Sequence, residues 1–573
     1  MPRANDDVER ILLEFADLLS IVADDPFKPR AYEKAARSVG SHPEDLAGLD
    51  AVGIRSIPNV GASIAQKIEE ILRTGTFPEL DELRGQIPSG VREMTRIAGF
   101  GPKKAMAVYQ ELGIADVDGL VVAAHDGRLS TLRGFSGKTE QQILAGAARA
   151  REGEGRVRID VALTVAEDLL DQLRDVPGVK DAAYAGSLRR MAETIGDVDL
   201  LVAADDAGPI MDAFTGYGVV ARVLAKGETK SSIVTRDGLQ VDLRVIAKPA
   251  WGAAMIYFTG SKAHNVRIRE LAVGAGLKLN EYGLFDATGG DLLAARTERA
   301  VYERLGLPYI EPTLREDLGE VEAALAGSLP SLVTAKRIRG DLHTHTDLTD
   351  GRASLEAMLG AAAAKGYDYY AVTDHAPDLP MHRMTDEKML AQSERIRALQ
   401  DRFPSMTLLH GSELNIGPDG RVDWGAEFLD GFDVTVASVH SHFRQPRDEM
   451  TARVIRAMEN PHVNVIGHLT TRLIGRREPV DLDLDAVFAA AARTGTALEI
   501  DAYPDRLDLR DDHVRWAKRH GVRFAIDTDS HAIGHLDFMR YGVGVAQRGW
   551  LTPGDVINTW PLSKLRRFLR KGR

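Results

Sequence analysis

The chain has 573 residues, 44% of them hydrophobic and 27% charged, too many for one core, and the absence of cysteine excludes disulfides, thiolate zinc ribbons and cysteine nucleophiles. No apolar run reaches the ~18 residues of a spanning helix and no signal-peptide pattern opens at Met1, so a cytoplasmic protein with no membrane partner is expected. The net charge of −12 does not exclude nucleic acid, because carboxylate-rich metal sites lower the total while helix N-termini hold phosphates without formal charge.

Two early segments share one pattern. Ile57-Pro58-Asn59-Val60-Gly61-Ala62-Ser63-Ile64-Ala65 and Ile97-Ala98-Gly99-Phe100-Gly101-Pro102-Lys103-Lys104-Ala105 each read as a short glycine hairpin opening a helix. In the first, Ile64, Ile68, Ile71 and Leu72 recur at helical spacing, so one face packs while the N-terminal amides stay free for a phosphate. A weaker third copy runs from Leu132 to Thr139, followed by a helical stretch to Ala150. The segments resemble helix-hairpin-helix motifs. That resemblance implies a grip on the DNA backbone through Gly61, Gly99, Gly101 and Lys103, and a monovalent cation held by the carbonyls of Thr95, Ile97 and Phe100.

In the middle of the chain, Ala185-Gly186-Ser187-Leu188-Arg189-Arg190 precedes Glu193-Thr194-Ile195-Gly196-Asp197-Val198-Asp199-Leu200-Leu201-Val202. Asp197 and Asp199 are two apart on an expected strand and so point to one side. Downstream, the run from Leu239 to Val245 alternates, with Asp242 on its polar face, and a neighbouring strand would bring Asp242 to the same cluster. Three acidic side chains on adjacent strands suit two Mg²⁺ ions, one activating a 3′-hydroxyl and the other clamping a triphosphate, which is nucleotidyl transfer. An Asp-x-Asp pair alone reads as a solvated strand end. Gly186 and Ser187, a close-approach phosphate cradle, and Arg190, a charge-assisted clamp, change that reading.

The stretch resembles the nucleotidyltransferase palm of family X DNA polymerases. Tyr257-Phe258-Thr259-Gly260-Ser261, then His264-Asn265 and Arg269, then Gly276 to Phe285, match the family's thumb, so the resemblance covers residues 1 to about 318. It implies that Tyr257 and Phe258 contact the sugar of an incoming deoxynucleoside triphosphate, Asn265 its base and Arg269 the template side, with Gly196 and Gly260 also in the nucleotide site. Lys262 holds a base-stacking position that varies in the family. Lys67 aligns with the Schiff-base lysine of the family's deoxyribose-phosphate lyase, although a helix lysine is ordinarily a solvated surface group and Ser63 replaces a second family lysine.

From Ile338 onward, apolar runs at Tyr369–Thr373, Thr407–Leu409, Val434–Val439, Val463–Ile466, Ala497–Ile500 and Arg523–Ile526 alternate with helical stretches, the rhythm of a β/α barrel-like domain. Chemistry in such a barrel belongs at the C-terminal ends of the strands. His343 and His345 share a face of the opening strand, and Asp350, His375, Glu413, His440, His468, Asp529 and His531 follow at successive strand ends. One histidine there is usually a satisfied core residue. Six with three carboxylates form a site large enough for three metals, with His442 as a supporting spare, and such mixed ligands suit Mn²⁺, Zn²⁺ or Fe²⁺ better than Mg²⁺.

This constellation resembles the polymerase-and-histidinol-phosphatase (PHP) superfamily over residues 338–573, with all nine positions filled. The resemblance implies phosphoester hydrolysis with Mn²⁺ and, in family X fusions, 3′-to-5′ exonuclease and 3′-end processing, sometimes with incision at abasic sites. The expectation is a multidomain α/β chain. Its parts would be a lyase-like helix-hairpin-helix domain (1–80), a fingers-like one (81–150), palm (151–246), thumb (247–318), helical extension and linker (319–337) and PHP domain (338–573). It would be a monomeric repair polymerase acting on gapped or 3′-recessed DNA. The rival readings are a small-molecule PHP phosphatase with a vestigial polymerase half and a non-enzymatic DNA-binding scaffold.

Overall fold

The computed structural model of the chain describes residues 4–22, 27–40, 46–57, 59–95, 100–132, 135, 143–144, 156–379 and 384–571. Two compact units, Met1–Glu154 and Gly155–Arg573, make it up. Among the described residues no helix is long and apolar enough to cross a membrane.

The first unit is helical. Phe15 of helix α1 (Ala4–Val22) meets the rings of Tyr32 and Phe77 edge-on, each at 4.8 Å, and anchors its core. Helices α2 (Ala62–Thr74) and α3 (Pro102–Leu112) follow the two glycine turns, and Ile64, Ile68 and Ile71 are buried as their spacing predicts. Gly61 and Gly101 hold the N-cap positions and provide no side-chain cap, so the first-turn amides remain to be satisfied from outside the helix. Ile97, Gly99 and most of the third hairpin fall outside the described residues.

The second unit begins with a five-stranded sheet in the order β1 (Asp181–Tyr184), β2 (Asp197–Ala203), β5 (Gln240–Ile246), β4 (Lys230–Thr235) and β3 (Val220–Lys226). Only β2 and β5 run parallel, and their register sets Asp199 beside Asp242. Along β5, Val241, Leu243 and Val245 are buried while the residues between them are half-buried, the two-residue period that the sequence carries. The single-turn helix α4 (Gly186–Arg189) lies between β1 and β2. Helices α5 (Trp251–Thr259) and α6 (Lys262–Gly274) then lead to a three-stranded antiparallel sheet. Residues 319–337, read from the sequence as helical extension and linker, form the helix Glu320–Leu325. Its Val321 and Ala324 join the same apolar cluster as Ile256 and Ile268.

The rest of the chain builds seven parallel strands that neighbour one another in chain order: β6 (Gly340–Asp341), β7 (Tyr369–Val372), β8 (Thr407–Asn415), β9 (Val434–Ser438), β10 (Val465–Ile466), β11 (Ala497–Asp501) and β12 (Phe524–Asp527). A bridge from Thr344 to Ser530 joins the first segment to the last, so the barrel is nearly closed. Two expectations are corrected. Strand β6 stops at Asp341, so His343 and His345 lie in extended chain beyond it; side chains take the ladder's place there, Asp527 accepting from the Leu342 amide (2.9 Å) and Thr373 from the Thr344 amide (2.9 Å). Strand β8 runs on to Asn415, which puts Glu413 inside a strand rather than past its end.

Candidate active sites

At the palm, Asp197 opens β2, Asp199 follows on the same face, and β5 sets Asp242 directly alongside. Gly186 has φ +60°, and a Cβ there would lie 2.4 Å from Asp199 Oδ2, so both the backbone and the close approach demand glycine. Gly186→Ala is therefore expected to lower single-nucleotide insertion at least about tenfold by displacing the Asp199 carboxylate, a loss that rapid-quench kinetics would measure.

Burial and repulsion from Asp197 and Asp242 push Asp199 up to about 7. Asp242 goes the other way. Burial opposes its charge, but bonds from Lys230 (Nζ at 2.8 Å), Ser232 and Gln240 (Nε2 at 3.0 Å) hold it below the usual carboxylate range. Burial first, and like charges second, hold the Asp199 carboxyl near 7, and the all-oxygen set fits hard divalent cations.

Arg190 is held in place before any ligand arrives: its Nε donates to Glu316 at 2.9 Å and its Nη1 to the Thr259 carbonyl at 2.6 Å. Ser187 is half-buried in α4, and a Cβ on Gly196 would meet Arg156 Nη1 at 3.1 Å. Tyr257, Asn265 and Arg269 line one small cavity between α5, α6 and Leu279. Asn265 donates from its amide nitrogen to the Tyr257 carbonyl (2.7 Å), Arg269 Nε donates to the Asn265 carbonyl (3.1 Å), and the Phe258 ring carries the Arg244 guanidinium at 4.7 Å. Gly260 ends α5 at φ +65°.

In the first unit Lys67 is buried, against the surface position that a helix lysine usually takes. Its Nζ lies 4.9 Å from the Phe77 ring centre and 5.9 Å from that of Phe15, and it pairs with Glu79. Lys103 and Gly101 are exposed at the start of α3.

At the C-terminal mouth of the barrel all nine expected ligands converge, with Glu413 as their hub. Its Oε1 lies 3.0 Å from Nε2 of both His440 and His468, and its Oε2 lies 3.0 Å from His375 Nδ1, 3.4 Å from His343 Nε2 and 3.6 Å from His345 Nε2. Asp529 is 3.0 Å from His345 Nε2, and Asp350 is 3.1 Å from His531 Nε2 and 3.4 Å from His375 Nε2. Three sets each bring one ligand atom per residue within 4.8 Å of the others: His345, Asp350, His375 and His531; His343, His345, Glu413 and Asp529; His375, Glu413 and His440. The exposed His442 lies outside them and meets Ser441 Oγ at 3.0 Å.

Burial opposes the charges of Glu413 and Asp529, yet the surrounding imidazoles hold both carboxyls well below the usual range. By the same pairing His375 is pushed up to about 10, against its own burial, by Glu413 and Asp350. His345 and His468 go the other way, pushed down by burial, His468 to about 4, so the cluster mixes imidazoles that favour and disfavour a proton. His343 Nε2, both nitrogens of His345, Glu413 Oε2 and Asp529 Oδ1 are buried without a hydrogen bond of normal geometry. Unsatisfied buried atoms of this mixed imidazole and carboxylate kind fit transition-metal ions.

The sequence reading missed the residues that aim these ligands. Glu499 accepts from His343 Nδ1 (2.7 Å) and from the His468 amide (2.6 Å), Asn415 Oδ1 meets His440 Nδ1 at 2.7 Å, and the Asp529 carbonyl meets His531 Nδ1 at 2.6 Å. A fully buried acid inside the otherwise apolar run Ala497–Ile500 is the signal that could have found Glu499.

Family models match four stretches of the chain: a helix-hairpin-helix domain (residues 3–77), a SAM-like helix-hairpin-helix tandem (91–149), a DNA polymerase beta thumb (254–316) and a PHP domain (341–502). DNA polymerase/3′-5′ exonuclease PolX of Bacillus subtilis (strain 168) is 34% identical over 99% of both chains. DNA polymerase lambda of Rattus norvegicus is 27% identical over 52% of this chain and 53% of its own. A probable phosphatase of Thermoanaerobacter sp. (strain X514) is 26% identical over 40% of this chain and 94% of its own.

Proposed function

Because the chain belongs to the bacterial family X DNA polymerases that carry a PHP domain, we propose that it fills gaps in DNA during repair with Asp197, Asp199 and Asp242, and trims 3′ ends with the cluster around Glu413. In this reading it works as a cytoplasmic monomer on gapped or 3′-recessed DNA with deoxynucleoside triphosphates. Mg²⁺ would be held in the palm and Mn²⁺ or Zn²⁺, up to three ions, in the barrel. The observation that carries the reading is that one chain gathers three groups of metal-fit side chains at the barrel mouth and, separately, sets Asp199 beside Asp242 in the palm. Full-length kinship to a polymerase/exonuclease favours it over the phosphatase and scaffold readings.

Divalent ions bound at these sites would supply Lewis acidity and positive charge at the phosphoryl oxygens. The side chains do the rest. Gly186 and Ser187 let a triphosphate approach the α4 N-terminus, Arg190 grips it, and Tyr257, Phe258, Gly260, Asn265 and Arg269 seat the nucleotide against the template. In the barrel, Glu499, Asn415 and the Asp529 carbonyl fix His343, His440 and His531 so that their other ring nitrogens face the carboxylates of Glu413 and Asp350, where they would hold metal ions. Gly61, Gly99, Gly101 and Lys103 hold the DNA backbone through free helix amides and charge, with a monovalent cation at the second hairpin.

One assay tests the reading: primer extension and degradation on a gapped duplex with Mg²⁺ and Mn²⁺ varied, beside hydrolysis of histidinol phosphate. Gap filling together with 3′-to-5′ degradation supports it; phosphatase activity without either overturns it. Lyase and abasic-site incision belong to the same proposal. Lys67, buried beside Glu79, would form an imine with a 5′-deoxyribose-phosphate end. Borohydride is expected to trap the chain on such an end, and Lys67→Ala is expected to reduce trapping at least about tenfold by gel assay; equal trapping would move the nucleophile elsewhere.

A further inference from the structure

Within the second unit the barrel domain grips the chain between the palm's phosphate cradle and its carboxylates at two points. This segment, Arg190–Gly196, which includes the short strand Thr194–Ile195, links the phosphate cradle to Asp197. At its middle Glu193 receives two bonds from the buried Arg472 (Nη1 3.2 Å, Nη2 2.7 Å), whose Nη2 is also fixed on the Leu507 carbonyl at 2.5 Å. At its near end Arg548 Nη1 donates to the Arg190 carbonyl (3.0 Å) and to Glu316 Oε1 (2.7 Å), the oxygen that already accepts from Arg190 Nε. Arg548 Nε is anchored on Asp511 at 2.7 Å. Gly544, one turn earlier in helix α7 (Met539–Arg548), lies so close to the segment that a Cβ would come within 2.7 Å of Met191.

These are not loose surface pairs. The Arg190 and Arg548 side chains are each 14% exposed and that of Glu316 21%, so solvent screens them little. Glu316 shared between two arginines pulls on Arg190 less than Glu316 alone would. Arg190 is tethered through Nε and Nη1, while Nη2 has no protein acceptor among the described residues. Two of the three guanidinium nitrogens are fixed, and Nη2 remains for an anion.

We propose that Arg548 and Arg472, although they belong to the barrel domain, are positioning residues of the polymerase site: they hold the Arg190–Gly196 segment so that Arg190 presents Nη2 to the triphosphate of the incoming nucleotide. The inference rests on reading Arg190 as the phosphate clamp. It makes the nuclease domain a working part of nucleotide binding.

The test uses the full chain. Steady-state insertion of one nucleotide into a one-nucleotide gap with Mg²⁺ is measured for Arg548→Met, Arg548→Lys and Glu193→Gln, beside Mn²⁺-dependent degradation of a single-stranded 3′ end. Arg548→Met and Glu193→Gln are expected to raise KM for the nucleotide about tenfold with kcat within about twofold, since a ground-state grip is weakened while the carboxylates are untouched. Degradation should stay at the unaltered rate, which shows an intact barrel, and Arg548→Lys should recover part of the KM. An unchanged KM in both Arg548→Met and Glu193→Gln overturns the proposal. So does a fall in kcat and degradation together with no KM change, because that is general destabilisation. Asp199→Asn is run alongside: normal insertion by it removes the palm reading itself, and that result is distinct from failure of the tether.

Discussion

Glu413→Gln is expected to abolish Mn²⁺-dependent 3′-to-5′ degradation, on the order of a thousandfold or more, while Mg²⁺-dependent gap filling stays within about twofold. Glu413 Oε1 and Oε2 together meet five imidazoles between 3.0 and 3.6 Å, so no other single side chain reaches as much of the cluster. The amide keeps the shape but removes the charge, and its nitrogen places a donor where ligand lone pairs converge. Purified protein should show a matching metal deficit by mass spectrometry. His343→Ala and His531→Ala should behave alike, each opening a different set. Wild-type degradation at full metal content in all three would mean that the nuclease lies elsewhere.

The second large effect is at the palm. Asp199→Asn and Asp242→Asn are each expected to lower single-nucleotide insertion on the order of a thousandfold and leave degradation of a single-stranded 3′ end intact. The two carboxylates are register partners on parallel strands, and Asp199 is already pushed up to about 7 by burial and its neighbours, so losing either alters the cation count that the site accepts. Retained insertion in either variant would sink that residue's assignment. A parallel loss of both activities would point to unfolding, which a melting curve would reveal.

Both sites were legible in the sequence because short periods encode them. The two-residue spacing of Asp197 and Asp199 and the alternation around Asp242 survive into the sheet, and the rhythm of apolar runs places the ligands around the barrel mouth. What escaped was contact between distant segments. Arg548 and Arg190 are separated by most of the palm, thumb and barrel, and a charged residue on a helix carries no mark of the carboxylate it will meet. Glu499 was passed over because the strand around it reads as apolar. The depth of Lys67 was within reach: it lies three residues after Ile64 and four before Ile71, on the face that packs.

The strict chain order of the barrel strands also sets the order in which the metal ligands come into being. His343 and His345 leave the ribosome early, but Asp529 and His531, which complete two of the three ligand sets, follow only after β12, and the seam from Thr344 to Ser530 closes last. Only the set of His375, Glu413 and His440 is whole before then. The polymerase modules lie upstream and are synthesised first. A nascent chain thus carries the palm carboxylates before the last nuclease ligands, but Arg548, which steadies Arg190, emerges after both Asp529 and His531, so a prematurely terminated chain lacks the full nuclease and the tether of the polymerase site alike.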